Sequence, residues 1–488
     1  MTLFSKRAAP FNRAAKESVL SQQVQWQHSK IVQGGIDQTQ LAIADAPTAE
    51  TPFSFLVVGD TDAGGVTHPA ERDTFADAFA NQLTKQLGES RFLLHTGDVT
   101  YPVGSYRNYL AGFLQPYQDL LSRLPESPAD LAASVMFNKP VLPVPGNHDY
   151  AGLSGVEGVW RSFMRLACDQ LRSTLGIDLG NYGGEGGEAY GQTFLDDLKK
   201  LTAEQLSAHL KRHYSASAAG DFQHCLSYRP GEFTRLPNRY YKFRYGGVDF
   251  FALDSNTWNR APEIEGFDGA QLEWLEKSLI TSWDTPNTVG RIIFCHHSAY
   301  TTESTRWQSV ETLWVRRNLR TVLDRAASTL GDARRASNVD DRVLGSRSRT
   351  EPLVDLVISG HAHCLEHIRT VDTKHADANI DWVVCCGSGS GLRRQRGADT
   401  SDILESMSWQ GRSSTKVVAN SQFYAGVHGQ GAKKQHFHSF LRIDVQPQAS
   451  QKFKICPHIV TKGEGNWTTT AITPLAIDQF SEYASVGA

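Results

Sequence analysis

The sequence predicts an α/β fold. Three observations carry this reading: short apolar runs alternate with stretches of helical spacing, the runs end at glycines, and polar clusters follow them. Loops that all carry chemistry-bearing residues after strands converge at one edge of a sheet.

Phe55-Leu-Val-Val58 is an apolar run closed by Gly59-Asp60, and reads as a buried strand in a core that starts at Phe53. Phe75 to Leu87 has helical spacing. Arg91 to His95 is a second strand, ending at Gly97-Asp98, and Pro140 to Val144 a third, ending at Gly146-Asn147-His148-Asp149. Residues 151–238 interrupt the pattern with a Gly-rich stretch, Gly180 to Gly191, and a helical segment, Phe194 to His213; they read as a cap-like insertion. Tyr240 to Leu253 gives two strands around Gly246-Gly247, a hairpin signal. Leu272, Leu275 and Leu279 mark a helix over Gln271 to Leu279. Arg291 to Cys295 is a strand ending at His296-His297, residues 303–349 are helical and then loop-like, and Leu353 to Ile358 is a strand ending at Gly360-His361-Ala362-His363. Trp382 to Cys386 and Phe440 to Val445 are the last expected strands. There is no internal repeat. The reading therefore divides the chain into an N-terminal extension, 1–50, and one large domain, 51–488, with 151–238 inserted.

Bulk properties narrow the function. A chain of 488 residues with 40% hydrophobic and 10% aromatic content can bury a large core. A formal net charge of -3 predicts neither a nucleic-acid binder nor a membrane-surface protein. The seven cysteines are odd in number, irregularly spaced and without a CxxC pair, which disfavours a disulfide framework or a zinc ribbon and fits a reducing compartment. No stretch approaches the ~20 apolar residues of a membrane span, and the basic N-terminus lacks the apolar centre of a signal peptide. A cytoplasmic location is expected, with an acid-poor transit segment as the minor alternative.

Five loops after expected strands bring metal-binding residue types: Asp60-Thr-Asp62, Gly97-Asp98-Val-Thr-Tyr101, Gly146-Asn147-His148-Asp149, His296-His297 and Gly360-His361-Ala-His363. Carboxylates, imidazoles and an amide oxygen suit cations such as iron, manganese and zinc. Glycine before the candidate ligand lets the chain turn sharply out of the strand. In extended chain the two imidazoles of His361 and His363 share one side.

This ordered set resembles the calcineurin-like metallophosphoesterase superfamily, whose pattern is an early Asp, a GD block, GNH[DE], an isolated His and GHxH, across residues 53 to about 445. The resemblance implies a four-layer α/β/β/α sandwich with two mixed sheets. It also implies two metal ions, iron with iron, manganese or zinc, and a hydrolase in which metal-activated hydroxide attacks a phosphate ester. Tyr101, three residues after Asp98, is similar to the purple acid phosphatase-like branch. By that likeness Asp60, Asp98, Tyr101 and His363 hold one metal, and Asp98, Asn147, His296 and His361 the other. Asp62 stands where the wider superfamily has a ligand His, so Asp62 and Tyr101 are alternative ligands. The His-x-Pro-x-aromatic pattern of the branch selects His296 over His297, although the proline is replaced here by Ser298. The resemblance makes His148 the residue that contacts phosphate or protonates the leaving group, with Asp149 orienting it, and Asn147 and His297 further substrate contacts.

A phosphorylated small molecule or phosphoprotein is the implied substrate, with monoester hydrolysis first, diester hydrolysis second and an inactive metal-binding scaffold third. Several residues have plainer readings. Cys295 and Cys364 flank proposed ligands but should face the core. His367 and Asp254 read as structural. Gly387-Ser-Gly-Ser-Gly391 lacks the Lys and Ser/Thr of a P-loop and reads as a tight loop near the metal edge. The arginines from Arg316 to Arg349 read as a solvated surface before an anion-attracting one.

Overall fold

The computed structural model describes residues 26–61, 69–125, 135–150, 187–214, 224–264, 266–337, 352–389, 391–397, 401–409, 412–462 and 467–472. Asp62, Gly180, Arg342, Arg347 and Arg349 lie outside them, as does much of the expected insertion.

Sixteen strands of the described residues form two large sheets. In chain order they are β1 (Asp37–Ile43), β2 (Phe53–Val58), β3 (Leu93–His95), β4 (Val141–Pro143), β5 (Cys225–Tyr228), β6 (Tyr241–Tyr245), β7 (Val248–Ala252) and β8 (Gly290–Phe294). There follow β9 (Leu356–Ser359), β10 (Leu365–Thr370), β11 (Asp381–Cys385), β12 (Asp402–Trp409), β13 (Arg412–Ala425), β14 (His438–Val445), β15 (Phe453–Lys462) and β16 (Trp467–Ala471). The main helices are α1 (Pro69–Leu87), α2 (Gly187–Phe194), α3 (Ala203–His213), α4 (Gly269–Asp284) and α5 (Val310–Ser337).

The smaller sheet runs β16-β15-β14-β2-β3-β4, with β2, β3 and β4 parallel and the rest antiparallel. The larger runs β12-β13-β10-β11-β9-β8-β7-β6-β1-β5, with β7, β8, β9 and β11 parallel at its centre. Both sheets are mixed. Successive side chains on a strand point to opposite faces, so each central strand feeds two layers. In β8, Ile292 and Phe294 pack inward against the smaller sheet, while Ile293 and the following Cys295 face α4 and α5. On that outer side Leu272, Leu275 and Leu279 of α4 meet Val315, Leu319, Val322 and Leu323 of α5. Phe79 and Leu83 of α1 join the inner core through the smaller sheet. The result is the expected α/β/β/α layering.

The hairpin of β6 and β7 pairs Tyr245 with Val248 across Gly246 and Gly247, whose φ angles of 53° and 79° are those a two-residue hairpin turn requires. Asp37–Ile43, in the region read as an extension, is a strand of the larger sheet between β5 and β6. β5 belongs to the region read as an insertion, so that region also contributes to the sheet edge. Of the expected helical segment from Phe194 to His213, Phe194 is the last residue of α2 and Ala203–His213 is α3, which Thr202 starts with a reciprocal Thr202–Gln205 box. Among the described residues no helix is long and apolar enough to cross a membrane.

Candidate metal centre

The C-terminal ends of β2, β3, β4, β8 and β9 meet at one edge, where the two sheets face each other. Strand ends deliver Asp60, Asp98, Asn147, His296 and His361 there, and the turn after His361 adds His363. Four of these residues, Asp60, Asp98, His361 and His363, have positive φ of 55°, 50°, 72° and 52°. Non-glycine residues adopt that region rarely, and it concentrates at functional sites. Gly146 allows the close approach of its loop: a Cβ there would fall 2.1 Å from Asp98 Oδ1 and 2.2 Å from Asp98 N.

The side chains form two adjoining groups sharing Asp98. In one, Tyr101 Oη donates to Asp60 Oδ1 at 2.6 Å and to Asp98 Oδ2 at 2.9 Å. His363 Nε2 lies 3.4 Å from both Tyr101 Oη and Asp60 Oδ1. In the other, His296 Nε2 lies 3.0 Å from Asn147 Oδ1, 3.1 Å from His361 Nδ1 and 3.4 Å from Asp98 Oδ2. Ligand-type atoms of Asp98, His296 and His361 all fall within 4.8 Å of one another.

Whether such residues fit metal ions is tested by their far sides. His296 Nδ1 donates to the Thr96 carbonyl at 2.9 Å, His363 Nδ1 to the Gly391 carbonyl at 2.9 Å, and His361 Nε2 to Glu311 Oε2 at 3.2 Å. Each imidazole thus has its outer nitrogen engaged by an acceptor, and in the neutral ring its inner nitrogen presents a lone pair to the carboxylates. Outer hydrogen bonds of this kind orient metal-binding histidines. Oxygen and nitrogen lone pairs converging in a buried space repel unless a proton or a cation lies between them. The donor set is chemically suited to holding metal.

The electrostatics carry the same signature. Burial pushes the Asp60 carboxyl up to about 6, with His296 opposing and Asp98 adding to the rise. Burial also disfavours charge on Asp98, but His296 and His148 hold its carboxyl well below the usual range. For His296, burial disfavours the imidazolium, yet Asp98 raises its pKa to about 9. Burial, then the Asp60 and Asp98 carboxylates, push the Tyr101 phenol well above its ordinary value. His361 is held well below its ordinary value by burial first and then by the positive charge of Arg306.

His148 and Asp149 follow Asn147 in a short helical turn, Asn147–Tyr150. His148 N donates to Asp98 Oδ1 at 2.8 Å, and its Nε2 stands 4.0 Å from Asp98 Oδ2. Asp149 does not orient this imidazole, contrary to expectation. It accepts from Gly146 N at 2.8 Å, Tyr109 Oη at 2.6 Å and Val99 N at 3.2 Å, while His148 Nδ1 donates to the Pro102 carbonyl at 2.7 Å. The helical turn points Asp149 down into the loops, where it ties the Asp98 loop to the Asn147 loop. His297 is fully buried, 4.6 Å from the His361 ring by centroids, with Nδ1 2.9 Å from Ser255 Oγ and Nε2 3.4 Å from Asn259 Nδ2. Both of its ring nitrogens thus have side-chain neighbours, Ser255 and Asn259.

The plainer readings have definite outcomes. Cys295 and Cys364 lie in the outer core. His367 Nε2 meets Asp381 Oδ1 at 3.0 Å. Asp254 accepts from Arg239 at 2.6 Å and from Tyr150. The loop at Gly387 packs on β14 through Ser439 N to Gly387 O, 2.8 Å, and Ser388 Oγ to Ser439 O, 3.0 Å. Arg316 and Arg320, read as surface, are buried and pair with Glu405 at 2.6 and 2.9 Å; Arg320 also meets Asp377 at 2.9 Å. Glu311 was missed by sequence reasoning. An acidic residue in the first turn of a helix ordinarily complements the helix dipole, and nothing in the sequence ties it to His361.

The model of the calcineurin-like phosphoesterase family matches residues 53–365. Among curated protein sequences, none matches the chain. Among solved structures, purple acid phosphatase PPD1 from yellow lupin (Lupinus luteus) seeds is 14% identical with a TM-score of 0.45, covering 88% of this chain and 56% of that one. A structure of PhoD is 14% identical with a TM-score of 0.41, covering 89% and 74%. GAP50, described as the anchor in the inner membrane complex of Plasmodium, is 12% identical with a TM-score of 0.38, covering 90% and 95%. The chain thus spans just over half of the lupin protein's length. The family match covers every strand-end loop that builds the site, and the chain belongs to the calcineurin-like phosphoesterase family.

Proposed function

We propose that the chain hydrolyses phosphate monoesters at a dinuclear metal site. Asp60, Tyr101 and His363 would hold one ion, and Asn147, His296 and His361 the other, with Asp98 available to both. The observation that carries this is the orientation of three imidazoles by Thr96, Gly391 and Glu311, which turns one nitrogen of each toward two buried carboxylates. Tyr101, within hydrogen-bond reach of both carboxylates, supports the purple acid phosphatase-like reading and an iron-containing pair with iron, manganese or zinc.

When bound, the two ions would polarise a phosphoryl oxygen and make water acidic enough to serve as nucleophile near neutral pH. The protein positions everything else. Pro102 keeps the Nδ1 proton of His148 engaged, so Nε2 is left on the side of Asp98. When His148 carries its second proton there, as imidazolium, Nε2–H can donate to a phosphoryl oxygen and pass that proton to the departing alkoxide, giving an alcohol, phosphate and a neutral imidazole. Asn147 stands at the same mouth, partly exposed, and can meet the phosphoryl group beside it. Asp149 keeps the Asp98 and Asn147 loops in register.

The test is parallel turnover of 4-nitrophenyl phosphate and bis(4-nitrophenyl) phosphate by metal-saturated protein, with bound metal measured. The monoester should dominate, and Asp98→Asn should lose most turnover together with metal. Turnover of the diester alone would make the chain a phosphodiesterase. Metal-loaded protein inert toward both would leave only a metal-binding scaffold.

A further inference from the structure

One edge of the site is built from two loops fastened to each other. Ser304 N donates to Arg394 O at 2.9 Å, Arg396 N to Thr302 O at 2.9 Å, and Gln395 Nε2 to Thr302 Oγ1 at 2.9 Å. This fastening brings Arg306 and Arg393 to the flank of the two histidines of the His361-x-His363 turn. Arg306 Nη1 lies 3.3 Å from Glu311 Oε2, the same oxygen that meets His361 Nε2 at 3.2 Å. Arg393 N donates to His363 O at 3.0 Å, and its Nη1 to Thr305 Oγ1 at 3.0 Å. Thr305 neighbours Arg306 in the chain, so the two arginines approach each other from different loops, with Glu303 Oε2 at 3.9 Å from Arg393 Nη1 as a further neighbour.

The position of Arg306 selects its role. It stands an imidazole's width and two hydrogen bonds outward from the atoms that face the carboxylates. A charge set back that far suits a group attached to the phosphoryl group better than the phosphoryl group itself. His297, Glu311 and His361 also bring ligand-type atoms together, within 4.8 Å. A cation is disfavoured among them because the Arg306 guanidinium already sits against Glu311. Guanidinium is planar, permanently charged and matched to pairs of phosphate oxygens. We propose that Arg306 and Arg393 form an anionic subsite, and that the substrate carries a second phosphoryl group beside the one hydrolysed. This rests on the phosphoesterase reading above and narrows its substrate class.

The test compares metal-saturated wild type with Arg306→Gln and Arg393→Gln on three substrates: 4-nitrophenyl phosphate, inorganic pyrophosphate and fructose 1,6-bisphosphate. The first has one phosphoryl group; the others carry a second, directly linked or held across a sugar. In each variant the kcat/KM for at least one doubly phosphorylated substrate, divided by that for 4-nitrophenyl phosphate, should fall about tenfold, the equivalent of one charge-assisted contact. Which substrate responds shows the spacing the subsite takes. Ratios unchanged in both variants, whatever the absolute rates, would overturn the subsite. A binding measurement separates this from failure of the hydrolase reading. Calorimetric affinity for methylenediphosphonate, relative to methylphosphonate, should drop about tenfold in each variant even if none of the three substrates turns over. An unchanged affinity ratio in both variants also overturns the proposal.

Discussion

His361 and Glu311 are joined by a hydrogen bond of 3.2 Å from Nε2 to Oε2, across 50 residues of chain. The contact sets the tautomer of His361 and aims Nδ1 at His296 and the carboxylates. Outer partners of metal-binding histidines typically contribute 10–100-fold to metal affinity or activity. Glu311→Gln should therefore weaken metal retention by roughly 10–100-fold, read by metal content after dialysis against a graded chelator series. Retention equal to wild type would show that Glu311 serves only Arg306.

Tyr101 is the residue that separates the two expected ligand sets. Its hydroxyl bridges Asp60 and Asp98 at 2.6 and 2.9 Å. Ferric-loaded protein should be coloured by phenolate-to-iron charge transfer, and Tyr101→Phe should bleach it with ferric iron still bound. Colour that survives in the phenylalanine variant would remove Tyr101 from the metal and return the place to Asp62.

Gly146→Ala is a change of one methyl group with a large expected effect. Its Cβ would meet Asp98 Oδ1 at 2.1 Å and Asp98 N at 2.2 Å, so Asp98 or the Asn147 loop must move. Displacements of about 1 Å at a reacting centre typically reduce rate about 100-fold. Turnover within threefold of wild type, with metal retained, would show that the loops yield without consequence.

Stability should depend on the buried pair of Arg239 and Asp254, at 2% and 0% side-chain exposure and 2.6 Å apart. Asp268 is the second carboxylate on the same guanidinium. Removing one partner of a buried pair strands the other charge and typically destabilises by about 3–5 kcal/mol. Arg239→Ala, which leaves both Asp254 and Asp268 without the guanidinium, should fall in that range in denaturant unfolding, whereas an exposed pair such as Arg442 with Glu89 should contribute under about 1 kcal/mol.

The chemistry-bearing residues were legible in the sequence because each sits directly after an apolar strand. Asp60, Asp98, Asn147, His296, His361 and His363 are named by local pattern alone, and parallel strands must bring their ends to one edge. The α/β class was legible from apolar runs alternating with helical spacing, whereas the four layers were what the family resemblance implied; in the structure Ile292 and Phe294 meet one core and Ile293 the other.

What local pattern leaves open is direction and distance. Asp149 stands next to His148 in sequence, yet a helical turn points it to Tyr109 and Gly146. Arg316 and Arg320 look like surface and are consumed by Glu405 and Asp377, while Arg306 and Arg393 gain meaning only when two loops meet. Asp37–Ile43 read as part of an extension before the core, yet it is a strand that pairs with β5 on one side and β6 on the other. The sequence by itself determined which atoms could bind and where along the chain they stand, since that is a matter of residue type and strand period. Only the tertiary structure decided which nitrogen of each imidazole faces inward and which arginines reach the site, since both depend on contacts between segments far apart in the chain.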